Sequence, residues 1–174
     1  MKLIAITKED FIEGEAMRIM KLLESDFWRV HIRKPHSRKE EIERLLDEIT
    51  PDYYPRLSLH DHHELALQRG IGGIHLNSRN PKAPDKWDGI KSVSCHSLEE
   101  LGMYKDCDYK FLSPIFDSLS KKGYKSNFEL SEFRPELLAC QNVVALGGVT
   151  FDKLPLLEAC GFYGGAMLTE AWQK

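Results

Sequence analysis

Residues 56–76 read RLSLHDHHELALQRGIGGIHL, two short apolar runs on either side of a helix-length segment. Arg56–His60 and Gly73–Leu76 each have the length and apolar content of a strand. Between them Leu65-Ala66-Leu67 supplies the apolar patch of a short helix, and Gly70 stands where such a helix should stop. A strand, a helix and a second strand imply parallel strands joined by a right-handed crossover.

The same unit recurs in both directions along the chain. Further apolar runs fall at Lys2–Thr7, Arg29–Arg33, Lys91–His96, Tyr109–Leu112, Val143–Leu146 and Gly164–Leu168. Most gaps carry a helical pattern. Ile42, Leu45, Leu46 and Ile49 form an i, i+3, i+4, i+7 stripe, and Met17, Met20 and Leu23 mark one face of an earlier helix. Leu130, Phe133 and Leu137, then Leu154 and Leu157, continue the series more weakly. Ser37-x-x-Glu40 and Ser97-x-x-Glu100 fit the capping box, and Gly102 and Gly161 join Gly70 as helix stops. Eight such strands predict one compact α/β domain over residues 1–174, a (β/α)8 TIM barrel without an open edge. The competing arrangement is an open doubly wound sheet. Spread over eight units, 174 residues leave about 22 each, short of the roughly 31 of a typical barrel of this class, so helices and loops must be spare. Asn77–Asp88 (NSRNPKAPDKWD) has two prolines and no apolar stripe, so one crossover is expected to be a loop. Only five residues follow Thr169, so the last helix is expected to be missing or vestigial.

Composition narrows the function. Lys and Arg total 24 against 27 Asp and Glu, a net charge of −3, which argues against a nucleic-acid binder relying on bulk positive charge. With 42% hydrophobic and 29% charged residues the chain reads as an ordinary globular protein. No apolar run approaches the ~20 residues of a membrane helix, and MKLIAITKED turns acidic too early for a secretory signal. Cys95, Cys107, Cys140 and Cys160 lack any C-x-x-C spacing, so they read as reduced thiols of a cytoplasmic protein.

In a parallel barrel, chemistry gathers where the strands end. The residues there are Arg33, His60-Asp61, Asn77-Ser78, Cys95-His96, Ser113-Pro114, Gly147-Gly148 and Thr169, whereas the strand interiors read as mostly apolar. Gly147-Gly148, before a helix, and Gly164-Gly165, in the eighth unit, suit a phosphate approached by backbone amides. Ser118, Ser120, Lys121 and Lys122, ahead of Gly123, suit a lid over an anion. His96 is a candidate proton carrier near neutrality. His31 lies two residues before Arg33 and so on the same side of its strand. Arg33 could hold a carboxylate or phosphate, or be tied up by Asp61. His60-Asp61-His62-His63 has metal-binding residue types, but neighbours at a strand end splay apart, and no H-E-x-x-H pattern occurs. Cys95 and His96 should face opposite ways, which disfavours a Cys–His nucleophile.

Taken together, these pieces resemble the thiamine phosphate synthase and thiazole tautomerase family. The similarity runs through Ile4-Ala5-Ile6-Thr7, His31-Ile32-Arg33, Asp61 with Glu64-Leu65-Ala66, and Gly73-Ile74-His75-Leu76. It continues through Ser94-Cys95-His96-Ser97-Leu98-Glu99-Glu100, Pro114-Ile115-Phe116 with Lys121, and Leu146-Gly147-Gly148-Val149-Thr150. The resemblance implies a (β/α)8 barrel that binds a thiazole phosphate, and two chemistries. The synthase branch joins an aminopyrimidine pyrophosphate to a thiazole phosphate and releases pyrophosphate. Its strand-two pattern Gln-x-Arg-x-Lys meets His31, Arg33 and Pro35 here, and its first magnesium aspartate meets Asp61. The second aspartate should fall near 77–80, where only Asn, Ser and Arg79 stand; Asp85 or Asp88 would have to reach in from the loop. The tautomerase branch needs no metal, and its His-Ile-Arg and Ser-x-His-Ser-Leu-Glu-Glu patterns both stand here.

The leading expectation is therefore metal-independent tautomerisation of a thiazole carboxylate phosphate. In it His96 is the general acid/base and Arg33 holds the substrate, with no cofactor required. His31, Pro114, Ser118, Ser120, Lys121, Gly147, Gly148, Gly165 and Ala166 bind substrate or phosphate. The alternative is Mg²⁺-dependent thiamine phosphate synthesis with Asp61 as a metal ligand, and a third reading is a thiazole phosphate binder without turnover. Partners are small phosphorylated molecules rather than nucleic acid or membrane, with self-association left open.

Overall fold

The computed structural model describes residues 1–117, 128–130 and 133–173. Its strands are β1 Lys2–Ile6, β2 Phe27–Ile32, β3 Leu57–Leu59, β4 Gly73–Leu76, β5 Ile90–Cys95, β6 Tyr109–Leu112, β7 Val143–Leu146 and β8 Gly164–Met167. They run β1 to β8 in sequence order as a closed parallel barrel, the (β/α)8 order expected, and the open doubly wound sheet is thereby excluded. Among the described residues six helices lie between strands: α1 Glu15–Glu24, α2 Lys39–Asp47, α3 His63–Arg69, α4 Leu98–Leu101, α5 Pro135–Cys140 and α6 Leu154–Ala159. The β4–β5 crossover carries no helix, and after β8 the described residues make a 3₁₀ turn at Glu170–Trp172. Within the chain two compact units form, Ala5–Lys91 and Ser92–Lys174 joined by Met1–Ile4.

In residues 5–91 the parallel register sets Val30 against Leu57, His31 against Ser58, and Leu59 against Ile74. Helix α2 buries Ile42, Leu45 and Leu46, with Ile49 buried just past its end, and packs against α1. At roughly 1.5–3 kcal/mol per buried aliphatic side chain, that stripe is reason enough for the helix to dock. Helix α1 turns differently from the expectation: it buries Ala16, Ile19 and Leu23 and leaves Met17 59% exposed. The cause is Glu15, drawn inward to the ammonium of Lys34, whose Nζ lies 2.7 and 2.9 Å from its two carboxylate oxygens. Lys34 Nζ also donates to the carbonyls of Lys8 and Asp10, so one buried cation gathers the loop after β1 onto the end of β2. The capping box expected at Ser37 shifts by one residue: α2 begins at Lys39, the Arg38 amide donates to Glu41 Oε2, and the Ser37 hydroxyl donates to the Lys34 carbonyl. Gly70 closes α3 with φ +69°.

In residues 92–173, Cys95 pairs with Leu112, Leu112 with Ala145, and Leu146 with Ala166. Phe111, Val144, Ala145 and Met167 are fully buried, with Leu138 and Leu157 packed beneath. Ser97 caps α4 as expected, its Oγ accepting the Glu100 amide at 3.3 Å. The Glu100 carboxylate reaches one residue further back than the box predicts and accepts the His96 amide at 2.7 Å.

One expectation about the interior is corrected. The sequence predicts strand interiors that are mostly apolar, with polar residues concentrated at one end of the barrel. Instead Arg29, His31, Ser58 and His75 are buried on β2–β4, and His60 is buried just past β3. They bond one another and the backbone: the two terminal nitrogens of Arg29 donate to the carbonyls of Leu57 and Pro55 and to Ser58 Oγ, while its Nε is buried with no hydrogen-bond partner among the described residues.

Candidate functional site

Within residues 5–91 the ends of β2, β3 and β4 collect charge. Arg33 comes directly after β2, anchored by its amide to Thr7 Oγ1 at 2.9 Å. Its Nη1 meets Glu9 Oε1 at 2.7 Å, so the expected alternative tie to Asp61 is replaced by one to Glu9. Among the described residues its Nε and Nη2 hold no partner, which leaves part of the guanidinium fork for an anion. Asp61 is gripped by Arg79 instead, Nε to Oδ1 at 3.0 Å and Nη2 to Oδ2 at 3.2 Å, with Asn80 Nδ2 on Oδ1 at 2.9 Å.

The turn that delivers Arg79 is written in the local sequence. Asn77 Oδ1 accepts the amides of Arg79 and Asn80, closing an Asx turn directly after β4. Asn77 Nδ2 donates to the carbonyls of His60 and His75, so the turn is clamped to two strand ends at once.

This geometry tests Mg²⁺, the cofactor that the family resemblance implies. Mg²⁺ demands near-octahedral oxygen ligation. Here both oxygens of the single candidate carboxylate are held by a guanidinium. Asp85 and Asp88 are exposed and join no metal-ligating group with Asp61 among the described residues. The residues present do not fit the ion.

His31 sits deeper than a substrate contact on the Arg33 side would require. It is fully buried, with its Nδ1 2.9 Å from His60 Nε2. His75 completes the group, its ring stacked on His60 at 4.1 Å and edge-on to His31 at 5.5 Å. Burial pushes the proton affinity of all three down, His75 to about 3, and Arg29 and Arg33 push the same way. These are neutral imidazoles at physiological pH. The run 60–63 does splay as expected: His62 Nε2 meets the Ser37 carbonyl and His63 bridges the carbonyls of Lys82 and His75. What the sequence reading missed is the group across strands. The available signal was that positions 31, 60 and 75 each lie within one residue of the end of three consecutive strands, with the same parity.

Within residues 92–173, His96 is exposed beside the buried Cys95, whose thiol burial pushes up to about 12, so the expected opposition of the pair holds. His96 Nδ1 lies 3.1 Å from the Ser113 carbonyl and 3.4 Å from its hydroxyl. A carbonyl can only accept, so Nδ1 carries the proton and the neutral ring keeps its lone pair on Nε2. Nε2 has no partner among the described residues and is the basic atom on offer.

Pro114 is buried after a cis Ser113–Pro114 bond. It backs the glycine pair: a Cβ on Gly147 would lie 2.9 Å from Pro114 Cα, and one on Gly148 would lie 2.5 Å from the Asp117 carbonyl oxygen. Both glycines also have positive φ, +94° and +61°. Space and backbone conformation together therefore demand glycine at both positions. The Gly147 carbonyl takes the Phe116 amide at 3.1 Å and the Gly148 carbonyl takes Lys153 Nζ at 2.6 Å. Among the described residues no acceptor meets the Gly147 and Gly148 amides. Lys153, also 4.5 Å above the Phe116 ring, is a cation that the sequence reading did not single out.

Two expected contributions look different in place. The glycine pair leads into a 3₁₀ turn, Phe151–Lys153, and the six-residue α6, so little helix dipole is available there. Gly165 and Ala166 lie inside β8 rather than beyond it, with Gly165 packed under Leu154 and Val149. Ser118, Ser120 and Lys121 lie outside the described residues. No described helix is long and apolar enough to cross a membrane.

Comparison with known proteins gives the family and agrees with the barrel order. The family model described as thiamine monophosphate synthase, TMP-TENI, matches residues 3–171. The thiamine-phosphate synthase of Caldicellulosiruptor saccharolyticus is 28% identical over 95% of this chain and 80% of its own length. The putative thiamine-phosphate synthase 2 of Aquifex aeolicus is 28% identical over 94% and 93%. A crystal structure of thiamine phosphate pyrophosphorylase from Bacteroides thetaiotaomicron superposes with a TM-score of 0.81 at 35% identity, covering 100% of this chain and 86% of that one. With matches that run nearly end to end, the chain belongs to the thiamine monophosphate synthase family.

Proposed function

We propose that this protein is a transferase of the thiamine-phosphate synthase type, joining an aminopyrimidine pyrophosphate to a thiazole phosphate with release of pyrophosphate. The observation that carries the reading is the 35% identity, across the whole chain, with a structure named for that activity. It displaces the tautomerase as the leading expectation, because the relatives carry the synthase name. The ring nitrogen of the thiazole supplies the electron pair for the new C–N bond, and the electrons of the broken C–O bond leave with pyrophosphate. A thiazole nitrogen carries no proton to remove, so the protein's work is to bind and orient charge. Gly147 and Gly148 offer their amides to the thiazole phosphate, with Lys153 fixing the turn through the Gly148 carbonyl. Arg33 offers Nε and Nη2 to an anionic group. Asp61 is committed to Arg79, so no step is assigned to Mg²⁺.

Tautomerisation stays in view on one observation: His96 presents an unengaged Nε2 with its tautomer fixed by Ser113, which is what a proton carrier needs and a coupling reaction does not. The test supplies both substrate sets to the purified protein and identifies the product. Thiamine phosphate and pyrophosphate in equal amounts support the proposal. Aromatisation of the thiazole carboxylate phosphate without pyrophosphate release, lost in His96→Asn, replaces it with the second reading.

A further inference from the structure

The group His31, His60 and His75 lies outside the anion-binding positions above and has a donor chemistry of its own. Each residue offers one imidazole nitrogen, and the three nitrogens lie within 4.8 Å of one another. Two nitrogens bound to one tetrahedral Zn²⁺ at ~2.0–2.1 Å stand roughly 3.3 Å apart. His31 Nδ1 and His60 Nε2, at 2.9 Å, need only separate by tenths of an ångström and exchange their shared hydrogen bond for a tautomer shift. His75 must swing out of its stack on His60. The backbones that carry the rings are already fixed: Asn77 and Asn80 hold the His60 carbonyl, and His63 and Asn77 hold that of His75. Such outer contacts are what aim metal ligands.

We infer that His31, His60 and His75 form a binding site for a late first-row transition-metal cation such as Zn²⁺. Three imidazoles with no carboxylate or thiolate suit zinc, nickel or copper and discriminate against Mg²⁺ and Ca²⁺, which seek oxygen. Neutral imidazoles present their lone pairs without first losing a proton, and burial keeps all three neutral. Among the nearby cations, Arg33 and Arg79 are balanced by Glu9 and Asp61. Arg29 also lies nearby, its guanidinium bonded to the carbonyls of Leu57 and Pro55 and to Ser58 Oγ. The site is independent of the reaction proposed above.

The test uses full-length protein stripped with chelator and titrated with Co²⁺, whose visible absorption reports tetrahedral nitrogen ligation, and then competition with Zn²⁺ and with Mg²⁺. One Co²⁺ per chain is expected, displaced by Zn²⁺ but not by Mg²⁺. His31→Gln, His60→Asn and His75→Gln should each weaken binding at least tenfold, while His36→Ala, a change at an exposed position, should not. Because a core variant can fail to fold, the wild-type histidine ring resonances are monitored as well. Zn²⁺ should move those of the three buried rings together. Unmoved buried rings, or Co²⁺ binding unchanged in all three variants, would overturn the site.

Discussion

Residues 5–91 bury Thr7, Glu15, Arg29, His31, Lys34, Ser58, His60, His63 and His75; residues 92–173, as far as described, bury only Ser92 and Lys110 among polar or charged side chains. Both units answer the same demand, a parallel sheet covered by helices. The first fills buried positions with side chains that bond one another. The second fills them with Phe111, Val144, Ala145 and Met167 and offers its polar groups outside the core, on glycine amides and on the exposed His96. A core of polar groups that bond one another is directional, so its stability should depend on individual partners and on pH. An apolar core with a glycine turn should depend on space and backbone conformation.

The largest effect that would sharpen this contrast is expected at Lys34. Its ammonium is fully buried and its partner Glu15 nearly so. Burial lowers the proton affinity of the lysine and raises that of the glutamate, against the pull of each charge on the other. Lys34→Ala leaves a buried carboxylate alone and should cost about 3–5 kcal/mol in denaturant unfolding. The double change with Glu15→Leu and Lys34→Met should recover most of that loss. A small effect from Lys34→Ala would break the claim that ion pairing organises this unit.

Acid comes next. An unfolded histidine takes a proton below pH ~6.5, while the folded His31, His60 and His75 resist it, His75 down to about pH 3. The unfolded state then binds more protons, so metal-free protein should lose stability as pH falls below ~6.5 and show no contribution from these groups above it. The slope approaches about 1.4 kcal/mol per pH unit for each histidine well below pH 6.5, which integrates to about 1 kcal/mol each, or up to ~3 kcal/mol in all, between pH 6.5 and 5.5. Calorimetry across that range checks it, and His75→Gln should flatten the slope.

In the other unit Gly148→Ala should cost about 1–3 kcal/mol, from the positive φ and the Asp117 carbonyl in its way, and should weaken binding of thiazole phosphate. Titration calorimetry with that ligand reads the second effect. The smallest change is expected at Arg79, 44% exposed in its pair with Asp61, where Arg79→Asp should shift stability by less than about 1 kcal/mol. The same change frees Asp61 and adds a second carboxylate, so coupling activity should become stimulated by Mg²⁺.

How much of this was legible in the sequence divides along the same line. The eight strands were, because buried parallel strands are short apolar runs; β3 and β4 fall within one residue or so of the runs in RLSLHDHHELALQRGIGGIHL. The missing helix after β4 was written in two prolines, and the glycine pair in its own residue types. Whatever depends on partners far apart in sequence was not. The face of α1 is set by Glu15 reaching Lys34, the partner of Arg33 is Glu9 rather than Asp61, and the three histidines meet only once the registers of β2, β3 and β4 are known. Arg79 stood in view at a position where the family resemblance calls for an aspartate, but that it forks onto both oxygens of Asp61 needed the Asx turn at Asn77.

The measurement closest to the centre of the proposal is pyrophosphate release from an aminopyrimidine pyrophosphate in the presence of thiazole phosphate, run in excess chelator and again in Mg²⁺. With Asp61 held by Arg79, release should proceed in both and within a few-fold of the same rate. Release that vanishes in chelator and returns with Mg²⁺, or no release in either, would contradict it.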